Sequence, residues 1–243
     1  MRGGIRWRAI RCLASMMRRW IPGRGRVHRA LANDGETLDD LRRHATSVYR
    51  RPLEIYLSNA ADERLGDPVR IIEAFFAKEL GWRRSYIEWK HSGLPLRLWL
   101  KYSLDRYVER LRRTRASKGQ TQKPHGVTRA SLIPPDPLYA RACAEEIVAR
   151  ALEMARQSCE DDGMTTQWRV FCRHYHDGLS HAEIATETGV PQDRVKVQCR
   201  MTLSRLQSAL RELFSREGVP PDRVDDEITA LYEQLDERDD FQS

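Results

Sequence analysis

The sequence of 243 residues predicts an all-α protein: two small helical domains joined by a flexible linker, the second containing a helix-turn-helix. Three observations carry that expectation. Apolar residues recur at three- and four-residue spacing along most of the chain, and no good period-2 run appears. From 116 to 137 the periodicity stops, in a stretch holding Gly119, Pro124, Gly126, Pro134, Pro135 and Pro137 that cannot build a long helix. Within Leu179 to Arg200, LSHAEIATETGVPQDRVKVQCR, a capping box, a glycine and a second amphipathic run follow in the order of helix, tight turn and helix. The expected organisation is a basic N-terminal arm (1–36), a helical domain (37–115), a linker (116–137), a helix-turn-helix domain (138–218) and an acidic C-terminal helix and tail (219–243).

The individual helices follow from their stripes. Leu41, Ala45, Val48, Leu53, Tyr56 and Leu57 outline the first, interrupted or restarted at Pro52. Asp67-Pro68 is a start signal, a capping acid before proline at the first helical position. Val69, Ile72, Phe75, Phe76 and Leu80 give the next stripe. Leu96, Leu100, Leu104, Val108 and Leu111 give another, on a helix ending in the basic run LRRTRASK. After the linker, Ala144, Ile147, Val148, Ala151, Leu152 and Ala155 resume the pattern, with a short helix around Trp168–Tyr175. A long helix then reaches to about Phe214, and Val224, Ile228, Leu231, Tyr232 and Leu235 mark a last one.

Charge is unevenly placed. Lys and Arg number 42 against 35 Asp and Glu, a formal charge of +7. Residues 1–30 carry nine arginines and no acid, and 96–123 carry nine Lys or Arg against Asp105 and Glu109. Residues 222–240 carry nine acids against Arg223 and Arg238. Two basic segments followed by an acidic tail favour a polyanionic partner. The tail has two readings: it folds back over a basic DNA face, or it is a solvated amphipathic helix packed on its own domain. Five cysteines at irregular spacing, with no CxxC pair, argue against a disulfide framework and suit a reducing cytoplasm. No apolar run approaches the ~20 residues of a membrane span, so no stable membrane insertion is expected. Cys172 and His176 are four apart, but no second pair stands at metal spacing, and no metal or cofactor is expected. No nucleophile triad, glycine-rich phosphate loop or acidic metal cluster suggests an enzyme.

In LSHAEIATETGVPQDRVKVQCR, Ser180 and Glu183 form the S-x-x-E box that starts a helix. Ile184 and Ala185 face inward, and Gly189 takes the turn. Val195, Cys199, Leu203, Leu206, Leu210 and Leu213 supply the buried stripe of the second helix. That leaves Gln192, Asp193, Arg194, Lys196, Val197 and Arg200 open near its start, where a recognition helix meets the major groove. Arg and Gln carry donors for guanine and adenine edges, and Lys196 or Arg200 suits phosphates. Asp193 also complements the helix dipole. An ordinary antiparallel helix pair would share much of this pattern. Thr188 and Gln198 stand where such units usually carry apolar residues, and Pro191 where a Ser or Thr cap is common.

The pattern reaches past the motif. QWRVFCRHYHDGLSHAEIATETGVPQDRVKVQCRMTLSRLQSALRELF resembles region 4 of bacterial RNA polymerase sigma factors, especially the extracytoplasmic-function group. YRRPLEIYL, DPVRIIEAFFAKEL and LPLRLWLKYSLDRYVERLRRTRASKG resemble region 2 of the same group, so the likeness spans roughly 40–235. The resemblance implies binding to core RNA polymerase and to promoter DNA, with an anti-sigma factor as a further partner. It assigns the −35 element to the exposed positions of the second helix. It assigns the −10 element to the helix around Leu96 to Arg115, through Trp99, Tyr102, Arg106, Arg110, Arg112 and Arg113, while Tyr107 neighbours the apolar stripe and reads as core. It assigns polymerase docking to the Phe-Phe helix, through Val69, Ile72, Glu73, Phe76 and Leu80. Two departures stand out: Arg70 and Glu73 occupy the places of a customary Asp and Gln, and Met201 that of a frequent Arg. They leave open a helix-turn-helix regulator that no longer engages polymerase. A protein-interaction module using the same face is a further alternative.

Overall fold

The computed structural model describes residues 38–59, 66–80, 82–116 and 136–236. Every regular element among the described residues is a helix. The basic arm, nearly all of the linker and the last seven residues of the acidic tail lie outside them. The chain divides into two compact units at the Cys143–Ala144 bond.

The first unit begins with α1 (Leu38–Asn59), whose first turn carries Asp39 and Asp40 at the positive end of the dipole. The break expected at Pro52 does not occur: the helix runs through it. Pro52 is itself buried, on a face shared with Val48, Tyr49, Leu53 and Leu57, so packing outweighs the one lost backbone bond. In α2 (Pro68–Ala74), Asp67 caps as expected, its Oδ1 accepting the Val69 N–H at 3.0 Å. The helix then widens into one π-type turn, Phe75–Glu79, closed by Leu80 N–H on the Phe75 carbonyl at 3.0 Å. Helices α3 (Trp82–Ser92) and α4 (Leu96–Ala116) complete the bundle.

Phe75 is fully buried, 5.5 Å from the Phe76 ring and 5.8 Å from the Tyr107 ring, so Tyr107 packs on the core as its position predicted. The interior also holds an ion. Lys101 is 6% exposed, with Nζ 3.0 Å from Asp105 Oδ2 and 4.5 Å from the Tyr56 ring centre. Tyr56 donates its hydroxyl to Asp105 Oδ1 at 2.8 Å. Burial pulls the Lys101 ammonium down, but Asp105 and the Tyr56 hydroxyl more than offset this, leaving it above the ordinary lysine value. Burial first, then Asp105, pushes Tyr56 up.

Helix α5 spans Pro137–Asp161, starting where the sequence placed the end of the linker. Asp136 caps it by accepting the Leu138 N–H at 2.8 Å, ahead of proline at the first position. Its first residues, up to Cys143, belong to the first unit. There Tyr139 is buried, donates its hydroxyl to the Arg97 carbonyl at 2.7 Å and meets the Tyr56 ring edge-on.

The second unit comprises the rest of α5 with α6 (Thr165–Tyr175), α7 (His181–Thr188), α8 (Gln192–Arg216) and α9 (Val224–Asp236). Val170, Ile184, Val195 and Cys199 make one buried cluster, with Tyr175, Leu179, Ala185 and Val190 against it. Arg205 of α8 reaches Asp162 at 2.7 Å and the Ser158 carbonyl at 3.3 Å, tying α8 to the end of α5. The acidic helix α9 packs on the C-terminal half of α8: Val224, Leu231, Tyr232 and Leu235 are buried and Asp225 pairs with Arg211 at 3.0 Å. Arg211 lies about 25 Å along the helix from Arg194 at 1.5 Å per residue. To Asp236, then, the acidic segment is a packed amphipathic helix that leaves the start of α8 open.

Candidate nucleic-acid interface

The local chemistry of 180–191 sets the geometry of the exposed face. Ser180 Oγ accepts the Glu183 N–H at 3.2 Å, and Glu183 Oε2 accepts the Ser180 N–H at 2.7 Å, so both halves of the capping box form. These bonds hold the Glu183 carboxyl below its ordinary range. Gly189 sits at φ 68°, a left-handed conformation that a side chain would strain. Thr188 is accommodated because its hydroxyl donates to the Ile184 carbonyl at 2.6 Å. Gln198 is not accommodated in that way: its Oε1 is buried without a hydrogen-bond partner. Pro191 precedes α8 with no side-chain cap bond, leaving Asp193 as the acidic group of the first turn.

All six positions expected to form the reading face, Gln192, Asp193, Arg194, Lys196, Val197 and Arg200, are exposed. At 100° per residue Val197 points opposite the buried stripe of Val195, Cys199, Leu206 and Leu213. Arg194 and Met201 flank it on one side, Asp193 and Arg200 on the other. Lys196 Nζ lies 3.2 Å from Asp193 Oδ1. Arg194 and Arg200 make no side-chain ion pair among the described residues, so their guanidinium donors face solvent. Met201, 46% exposed, is part of this surface; the sequence marks it as standing in place of a frequent Arg but does not count it among the six reading positions. The available signal was its spacing of four from Val197.

Beside this face, His174 and His181 stack at 4.0 Å, and His174 Nδ1 lies 2.6 Å from the Leu179 carbonyl oxygen. Burial, then His174, then Lys196 hold the His181 pKa below the ordinary 6.5. The folded state therefore favours neutral His181. Its contribution to stability is present above pH 6.5 and is lost as pH falls towards the lowered folded pKa. Thermal melts from pH 7.5 to 5.5 are expected to show a falling midpoint, with a shallower slope for His181→Gln. Equal slopes would remove His181 as the cause.

The first unit presents a second surface. A groove of about 720 Å³ runs between α4, the π-type turn and α3. Trp99, Ser103, Arg106, Arg110 and Arg113 line its α4 wall at alternating steps of four and three; Phe75, Lys78, Leu80 and Arg84 line the other side. The structure thus gathers Arg106, Arg110 and Arg113 of the six expected −10 contacts on one exposed wall. Trp99 is a correction: at 6% exposure it is a floor of the groove, packed in the core, not a free stacking platform. Tyr102 and Arg112 do not line the groove. Arg112 points to a different side of α4 from that stripe. Lys78 and Arg84 join the groove without having been expected there, because only the fold brings α3 and the turn beside α4. Glu109 holds Arg113 at 3.0 Å and Glu88 holds Arg84 at 2.8 Å.

The docking set expected on the Phe-Phe helix, which forms as α2, the π-type turn and Leu80, divides. Val69 is 43% exposed and Glu73 is exposed, whereas Ile72, Phe76 and Leu80 are buried at 0, 6 and 4%. The correction follows from the stripe itself: its inward face completes the first unit's core, leaving only Val69 and Glu73 of that set at the surface. Arg50 of α1 holds Glu73 at 2.7 Å, and Arg70 extends into solvent 3.9 Å from Asp67.

Among the described residues no three His, Cys, Asp or Glu side chains are placed to share a metal ion, and no helix is long and apolar enough to cross a membrane. No family model matches the sequence, and no curated protein or solved structure matches it.

Proposed function

We propose that this chain is a sigma factor of the extracytoplasmic-function type, a dissociable subunit that brings core RNA polymerase to a set of promoters. The single observation that carries the reading is the solvent face of α8. It presents Arg194 and Arg200, neither in an ion pair among the described residues, around Val197, behind a capped short helix and a left-handed glycine. In this reading 181–200 is a helix-turn-helix and α8 enters the major groove at a −35 element. The arginine-lined groove of the first unit supports the second half of the assignment, contact with the opened −10 strand through backbone phosphates. Melting a promoter calls for binding energy directed at separated strands and needs no catalytic side chain.

The exposed Arg70 favours a second reading, a DNA-binding regulator that has lost polymerase contact. Gel filtration of the full chain with core RNA polymerase separates the two. Co-elution is expected for the sigma factor; separate elution together with sequence-specific duplex binding identifies the regulator.

A further inference from the structure

We propose that Val197 and Met201 form an apolar wedge that reads thymine methyl groups, making the preferred duplex site one with neighbouring A·T pairs beneath this part of α8. The inference rests on the DNA-reading role of α8 and names what that face selects.

Val197 is 49% and Met201 46% exposed, and they lie one turn apart on α8. Among the described residues the other exposed large apolar side chains are Leu38, Val69, Ile87 and Leu138, each on a different helix. Two exposed apolar side chains at adjacent turns therefore make a local patch that water solvates poorly. Val197 is at the centre of the exposed face, diametrically opposite the buried stripe, so fold stability does not account for it. The occupant is indicated by charge. Arg194 and Arg200 flank the pair without an acidic partner among the described residues, which suits a polyanion and disfavours an apolar protein surface. Within duplex DNA, the group in the major groove that an aliphatic side chain recognises is the thymine methyl. The two side chains are about 6 Å apart along the helix, against about 3.4 Å per base step, so both methyls fall within about two steps. Met is flexible enough to adjust to either strand.

The test starts from duplexes selected by the full chain out of a random pool. Each thymine is then replaced singly by uracil, which removes the methyl and keeps every Watson–Crick donor and acceptor. Burying one methyl group corresponds to roughly a fourfold affinity change. One or two adjacent positions are expected to show that loss, and the double variant Val197→Ala/Met201→Ala is expected to bind thymine and uracil duplexes equally. Full uracil tolerance, with specific binding that still depends on Arg194, would overturn the wedge and leave the DNA-reading role standing. Unchanged methyl sensitivity in the double variant would overturn it too. Failure to select any duplex would remove the DNA-reading role itself. A double variant that keeps duplex affinity and methyl discrimination but loses core polymerase would reassign the patch to a protein contact.

Discussion

Replacing Arg194 and Arg200 together by alanine is expected to weaken binding to a selected duplex by at least about thirtyfold while leaving the melting temperature nearly unchanged. Both guanidinium groups stand on the exposed face of α8, and neither holds an ion pair among the described residues, so their removal costs the fold little. Their energy is realised only on the partner. The salt dependence separates their roles. A residue that holds a phosphate weakens all sequences alike, and its loss lowers the salt slope by about one; a residue that reads a base relaxes specificity at one position. Lys196 is expected to contribute less, because Asp193 at 3.2 Å already occupies it and must be displaced or bridged. Electrophoretic mobility shifts at several salt concentrations measure all three quantities. Unchanged affinity in the double variant would end the assignment of α8 as a reading helix.

The largest effect on stability is expected at Phe75. Its ring is fully buried and contacts both Phe76 and Tyr107. Phe75→Ala removes a large apolar side chain and leaves a cavity that the π-type turn cannot readily collapse around, at a cost of about 3–5 kcal/mol. That is a large part of the total stability of a small domain. Denaturant unfolding is expected to show loss of the first unit, and every binding activity that depends on it would be lost indirectly. Polymerase contact therefore has to be probed at the surface. Val69→Asp is expected to spare the fold, since the side chain is 43% exposed, and to weaken any docking through α2. If Phe75→Ala melted like the parent, the core description of the first unit would be wrong.

How far these features were legible in the sequence depended on whether their cause was local. The capping box at Ser180 and Glu183, the turn at Gly189 and the cap at Asp67 involve residues two to four apart, and each forms as the spacing predicted. The inward stripe of α8 follows from its helical period in the same way. The interruption at Pro52 did not materialise because burial of its helix face, a tertiary effect, outweighs a local propensity. The end of the linker was legible to within a residue of the start of α5 at Pro137, although the capping role of Asp136 was not singled out among the neighbouring prolines. Site residues were hardest where exposure decided the matter. Trp99, Ile72, Phe76 and Leu80 have the chemistry of contact residues, but their direction depends on which neighbouring helix closes over them. Met201 stood in the sequence only as a departure from a frequent Arg, and its place on the reading surface follows from its exposure one turn from Val197.

Run-off transcription tests the central claim most directly. The full chain is mixed with core RNA polymerase and a template carrying the duplex selected by α8 upstream of a −10 region. Discrete transcripts from that template are expected, absent without the chain and strongly reduced by Arg194→Ala/Arg200→Ala. Specific duplex binding with no transcript and no polymerase complex would contradict the account.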